Sequence, residues 1–113
     1  MTIEMLTAYG ANTKEGLHRC MNNEDFYLRL VKTVSGDANF QRLYDAVEAG
    51  DIAAAFEAAH ALKGSTGNLA LTPLFVPICE ITELLRARTE MDYAPLLTEL
   101  LEEKAALDEL CAE

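Results

Sequence analysis

Residues 51–70 read DIAAAFEAAHALKGSTGNLA. Asp51 stands where a helix N-cap belongs, ahead of a run of good helix formers. At about 100° per residue, Ala55, Ala58, Leu62, Thr66 and Leu69 fall within roughly 50° of one direction, so the stretch has a single apolar stripe and reads as one helix. His60 points almost directly away from that stripe, on the side that carries Ala53, Phe56, Glu57, Lys63, Gly64 and Gly67. A glycine inside a helix costs about 1 kcal/mol relative to alanine. Two of them on the face of an outward histidine remove side chains beside the ring at the expense of helix stability. Close approach of a second helix is another use for one of them.

Outward from this helix the same period repeats, without the alternation that marks strands. Residues 3–9 form a short helix closed by Gly10, and Asn12 or Thr13 caps a second one through Glu15, Leu17 and Cys20. Asn23 caps a longer helix with Phe26, Leu28, Leu30, Val31 and Val34 as its apolar residues, interrupted at Ser35-Gly36-Asp37. A helix over residues 38–49 is closed by Gly50. Thr72-Pro73 is a cap and first-turn pair for a helix over residues 72–88, with Pro77 expected near the first turn. Asp92 caps the last helix, in which Pro95 falls early and Leu96, Leu97, Leu100, Leu101, Leu107 and Leu110 form the stripe. Short connections make neighbours antiparallel. The expectation is an all-α protein, an up-down antiparallel four-helix bundle over residues 23–111 with a short helical N-terminal arm over residues 1–20, in a single domain of residues 1–113. Leu62, Leu69, Leu84, Leu85, Leu97, Leu100 and Leu101 are core candidates, and Cys79 and Met91 are packing atoms.

The chain has 113 residues, half of them apolar, which is enough for one core and no more. Nine Lys and Arg against nineteen Asp and Glu give a net charge of −10, which repels phosphate backbones and anionic lipid. Nucleic acid and membrane are therefore not expected partners; a protein is. No signal-peptide pattern and no span of about 20 apolar residues is present, so the expected location is cytoplasmic. Three cysteines, Cys20, Cys79 and Cys111, show no CxxC spacing and are expected as reduced thiols, two of them buried.

With Gly64 one turn and Gly67 two turns beyond His60, the ring is bare toward its C-terminal side, and Lys63 reaches the same spot from i+3. An imidazole with bare backbone beside it and an ammonium within reach suits a nucleophile that receives a phosphoryl group. A solvated surface histidine is the plainer reading of any one such residue. Phe56, one turn before His60, is a docking ring or a core-edge packing residue; Glu57 is a solvated acid or an orienting partner of the imidazole. His18 has neither a glycine clearing nor a second ligand and reads as structural or surface.

The run His60-Ala-Leu-Lys63-Gly64-Ser-Thr-Gly67-Asn68-Leu69, preceded by Ala59, resembles the signature A-H-x-L-K-G-[SA]-x-x-x-[LIF] of the histidine-containing phosphotransfer (HPt) domain. The resemblance extends to the helix with Phe26-Tyr27-Leu28-Arg29-Leu30, the Phe40 helix ending in Glu48-Ala-Gly50-Asp51, and the Cys79-Glu80 helix. It implies a four-helix bundle in which His60, through Nε2, accepts a phosphoryl group from a response-regulator receiver aspartate and passes it to another. Lys63 would stabilise phosphate charge and Gly64 clear space for docking, with Phe56, Glu57, Gly67 and Asn68 as docking candidates. The expected partners are receiver domains, with a hybrid histidine kinase as a further one. No cofactor is expected on this chain, Mg²⁺ being supplied by the receiver, and the protein would be a monomeric carrier with no turnover of its own.

Three rivals compete. Glu57-Ala-Ala-His60 and Glu15-Gly-Leu-His18 are both E-x-x-H, the pattern of di-iron bundles, but His60 faces away from its helix's stripe and Glu15 to His18 lies in a short arm broken by Gly16. Lys63-Gly64-Ser65-Thr66 has the wrong order for a P-loop and no preceding strand. A phosphate-independent scaffold of the same fold, binding response regulators, is the third, and the intact His60, Lys63 and Gly64 speak against it.

Overall fold

Polar side chains placed one residue ahead of an apolar period start most of the helices. In the computed structural model, which describes all of residues 1–113, Thr2, Asn12, Asn23 and Asp51 each accept a hydrogen bond from the backbone N–H three residues on, at 3.1 to 3.2 Å. They open α1 (Ile3–Tyr9), α2 (Thr13–Arg19), α3 (Glu24–Ser35) and α5 (Ile52–Asn68). Between the last two lies α4 (Asn39–Glu48), and α6 (Thr72–Arg86) and α7 (Ala94–Cys111) complete seven helices with no strand. Asp92 does not cap α7: Tyr93 holds the N-cap place without a side-chain bond, and Asp92, one residue earlier, accepts from the Ala94 N–H at 3.0 Å. Thr72 does not cap α6: Leu71 holds the N-cap place without a side-chain bond, and Thr72 is already helical.

Most helix ends, those of α3 and α7 excepted, share one device. At the end of α5 the Leu71 N–H bonds to the Thr66 carbonyl and the Ala70 N–H to the Gly67 carbonyl, with Ala70 in the left-handed region at φ 54°. The pair Thr89 to Leu84 and Arg88 to Leu85 repeats the pattern after α6, with Arg88 at φ 53°. These closures stop α5 and α6 two residues before the expected ends at residues 70 and 88, because alanine and arginine here take the conformation that glycine ordinarily signals. Only Gly10 and Gly50, at φ 115° and 71°, announce it by type.

Helix α4 packs on α5, α5 on α6, α6 on α7 and α7 on α3. Leu43, Leu62, Leu74, Ile78, Ile81, Leu85, Leu100 and Leu107 are wholly buried between them, each worth about 1.5–3 kcal/mol in transfer terms. The expected stripe of α5 is the observed one, Ala55, Ala58, Leu62, Thr66 and Leu69 all being buried, with Ala59 beside them. Leu84 and Leu101 are only partly buried. Pro77 sits inside α6 rather than in its first turn and is buried, its ring serving as core and only the bond to the Pro73 carbonyl being lost.

Three expectations about packing are corrected. The buried stripe of α3 is Tyr27, Val31 and Val34, and Phe26 stands 41% exposed, because Tyr27 can bury its ring and still pass its hydroxyl to the Leu69 carbonyl at 2.9 Å. Met91 is 43% exposed in the α6–α7 connection and packs nothing of note. Of the three free cysteines only Cys20 is buried; Cys79 and Cys111 are half-buried at helix edges.

The N-terminal helices are integral to the core rather than appended to it. Leu6 is wholly buried, the Tyr9 hydroxyl donates to the Glu103 carbonyl at 2.9 Å, and the Asn12 N–H donates to the Ala70 carbonyl at 2.9 Å. Gly16 of α2 lies flat against the Tyr27 ring. These contacts set α2 beside the C-terminal end of α5, next to the glycines.

Candidate functional site

His60 lies on the exposed side of α5, opposite the buried stripe. A side chain built at Gly64, one turn on, would have no atom within 4 Å, so the surface beside the imidazole is open there. Gly67 is different. A Cβ at that position would stand 2.7 Å from Cε1 of Phe75, which means that α6 lays the edge of an aromatic ring on the bare backbone of α5. One glycine clears solvent space and the other admits a neighbouring helix.

His60, Lys63, Gly64, Gly67 and Asn68 from α5, Arg19 from α2 and Phe75 from α6 line an open hollow of about 530 Å³. Arg19 is fixed in it from two sides, donating to the Gly67 carbonyl and pairing with Glu15 at 3.1 Å. Lys63 Nζ lies 3.6 Å from Glu83 Oε1, and Arg86 Nε lies 3.3 Å from Glu83 Oε2. The Arg86 guanidinium in turn lies 5.0 Å from the centroid of the Phe56 ring, within cation–π range. Phe56 faces His60 with ring centroids 5.7 Å apart and planes at 28°. On a protein of net charge −10, three of nine Lys and Arg are thus gathered around one imidazole. Burial pushes the Cys79 thiol up, while the neighbouring Lys63 draws it down and Glu83 raises it.

The sequence-expected residues divide by place. His60, Lys63, Gly64, Gly67 and Asn68 share the hollow; Phe56 is half-buried and meets His60 from the N-terminal side. Glu57 is exposed between two hollows, one shared with Phe56, Arg86 and Arg88 and the other with Arg42 and Asp45 of α4, and it takes part in none of the four ion pairs. His18 is exposed on α2 and does not line the hollow. Glu15, His18, Glu57 and His60 do not converge, and no three His, Cys, Asp or Glu side chains are grouped to hold a metal ion, which removes the geometric basis of the di-iron reading. Arg19, Phe75, Glu83 and Arg86 were not legible as site residues; the spacing of 75, 79, 83 and 86 along one face of α6 is the signal that points at α5, but only packing shows it.

Residues 33–112, well over half of the chain, match the family model described as Hpt domain. The chain belongs to the Hpt domain family. Hpt domains act in histidine phosphotransfer within two-component phosphorelays, interacting with receiver domains and kinases, and are helical bundles, in keeping with the seven helices described above. The Hpt match begins inside α3, so α1, α2 and the arginine they bring to the hollow lie outside it. Comparison with curated proteins and with solved structures returns no match. No helix of the Hpt chain is long and apolar enough to cross a membrane.

Proposed function

We propose that this chain is a phosphorelay carrier in which His60 accepts a phosphoryl group from a receiver aspartate and passes it to another. The observation that carries the reading is the pairing of an exposed imidazole on α5 with open backbone at Gly64 and an ammonium at Lys63. In the transfer, the lone pair of Nε2 forms the new N–P bond, the P–O bond to the receiver's aspartate breaks, and the carboxylate leaves with its electron pair while Nδ1 keeps its proton. Return transfer is the reverse. Neutral imidazole needs no general base for this step, so the chemistry reduces to alignment and neutralisation of phosphoryl charge. Lys63 supplies a positive charge from this side, and the receiver supplies Mg²⁺ and its acidic pocket. Phe56, Gly64 and Asn68 form the surface the receiver would meet, with Gly67 acting indirectly through Phe75.

We read α3 to α7 as an up-down antiparallel bundle, supported by the connections of three, three and seven residues that join α4 to α7, in one domain whose core α1 and α2 also enter. We further read the protein as a cytoplasmic monomer with receiver domains, and a hybrid histidine kinase, as its partners. The test is incubation with a phosphorylated receiver domain. Label should appear on the protein, survive alkali and be lost in acid, and His60→Gln should abolish it; a variant labelled as well as the parent would refute the assignment.

A further inference from the structure

The carboxylate of Glu83 holds two cations at once, Lys63 at 3.6 Å and Arg86 at 3.3 Å. Arg86 leans on Phe56, and Phe56 on His60, so a circuit of five side chains runs from α5 to α6 and back around the imidazole. Every cation near His60 is matched in this resting state: Lys63 and Arg86 by Glu83, Arg19 by Glu15. A phosphoryl group on His60 therefore competes with the Glu83 carboxylate for the charge of Lys63 and Arg86. The carboxylate is 58% exposed and its contact with Lys63 is longer than a hydrogen bond, so separation is easy.

From this we propose that Glu83 is a positioning residue of the phosphotransfer site, which keeps Lys63 and Arg86 beside empty His60 and yields them when the phosphoryl group arrives. The inference rests on His60 being the acceptor. A phosphoryl group brings nearly two negative charges and three acceptor oxygens against the single charge of Glu83, and it wins the competition. The competition still has a cost, and that cost limits how tightly the carrier holds its cargo. A relay protein that must give up what it receives gains from such a counterweight, whereas one with unopposed cations would retain it. Glu57, the remaining nearby acid, lines a hollow with Phe56 and Arg86 but pairs with neither Lys63 nor Arg86.

Potassium phosphoramidate, a small donor that needs no partner protein, provides the test. Its P–N bond breaks, ammonia departs, and the Nε2–P bond forms. Charging rates are followed by ³¹P NMR for the parent, Glu83→Gln, Glu83→Asp, and Glu83→Gln combined with Lys63→Ala and Arg86→Ala. Release of an exposed pair is worth at most about a factor of five. Glu83→Gln should therefore charge about two to five times faster at low salt, with the advantage fading near 1 M salt, where screening falls to about 3 Å. Glu83→Asp should stay near the parent, and the advantage should vanish in the background lacking both cations. An unchanged or slower rate for Glu83→Gln with an unaltered melting curve overturns the proposal, as does an advantage that survives loss of both cations. Charging of His60→Gln would instead show that the acceptor itself is misassigned.

Discussion

Replacing each glycine of α5 by alanine should move stability in opposite directions. Both substitutions gain about 1 kcal/mol of helix propensity. At Gly64 nothing lies within 4 Å of the added Cβ, so the gain stands undiminished. At Gly67 the Cβ would be 2.7 Å from Phe75 Cε1 and 3.1 Å from Cδ1, and the half-buried ring must be pushed off α5. Such overpacking costs about 1–3 kcal/mol, leaving Gly67→Ala net destabilised by about 1 kcal/mol. With an unfolding entropy of about 2.1 cal/mol/K per residue, 113 residues convert 1 kcal/mol into about 4 °C of Tm. Calorimetry should thus find Gly64→Ala about 4 °C above the parent and Gly67→Ala about 4 °C below. In a Phe75→Ala background the Gly67→Ala change should turn stabilising, since the obstacle is gone. If Gly67→Ala raises Tm in the parent, Phe75 does not rest on that backbone and the division of labour between the two glycines is wrong.

A longer side chain at the open position should separate small from large donors: Gly64→Gln is expected to charge with phosphoramidate near the parental rate but to accept from a receiver domain more than about tenfold more slowly, an obstruction worth at least 1.4 kcal/mol. Tyr27→Phe removes the donor to the Leu69 carbonyl and should cost about 1–2 kcal/mol in urea unfolding; Gly16→Ala, whose Cβ would stand 2.5 Å from the Tyr27 ring, should cost more. Burial, with nearby Cys20, pushes the Tyr27 hydroxyl up to about 12, and burial, with the charges of Glu103, Asp108 and Cys111, raises that of Tyr9 further. These phenols stay protonated in the fold after the unfolded chain has begun to ionise near pH 10. The folded state then binds more protons, so the contribution of these two phenols to stability should be constant below pH 10 and be lost from there through pH 12. Urea midpoints across that range check it, and a flat profile would contradict the burial. Asp51→Ala should cost about 1 kcal/mol by thermal melt through loss of the α5 cap.

Residues 51–70 and the repeating apolar period were enough to read an all-helical protein, the places where most helices begin, the buried stripe of α5 and the outward direction of His60. Those features are local: a cap needs only its own hydroxyl, amide or carboxylate and the third N–H on, and a stripe needs only the angle between successive residues. The family signature, the proposed acceptor His60 and Lys63 all sit within one such local stretch. Helix ends at Ala70 and Arg88 escaped, because the left-handed residue there carries a side chain and the closing bonds reach back five residues. Tertiary packing alone decided the rest. Whether a missing side chain faces water or another helix depends on what α6 brings opposite it, which is why two identical residues three positions apart, Gly64 and Gly67, do different work. By the same reasoning the counter-charge Glu83, the shelf Arg86 under Phe56 and the arginine delivered by α2 were invisible along the chain: their contacts with Lys63, Phe56 and the Gly67 carbonyl of α5 join residues 20 or more positions apart, and only folding makes them.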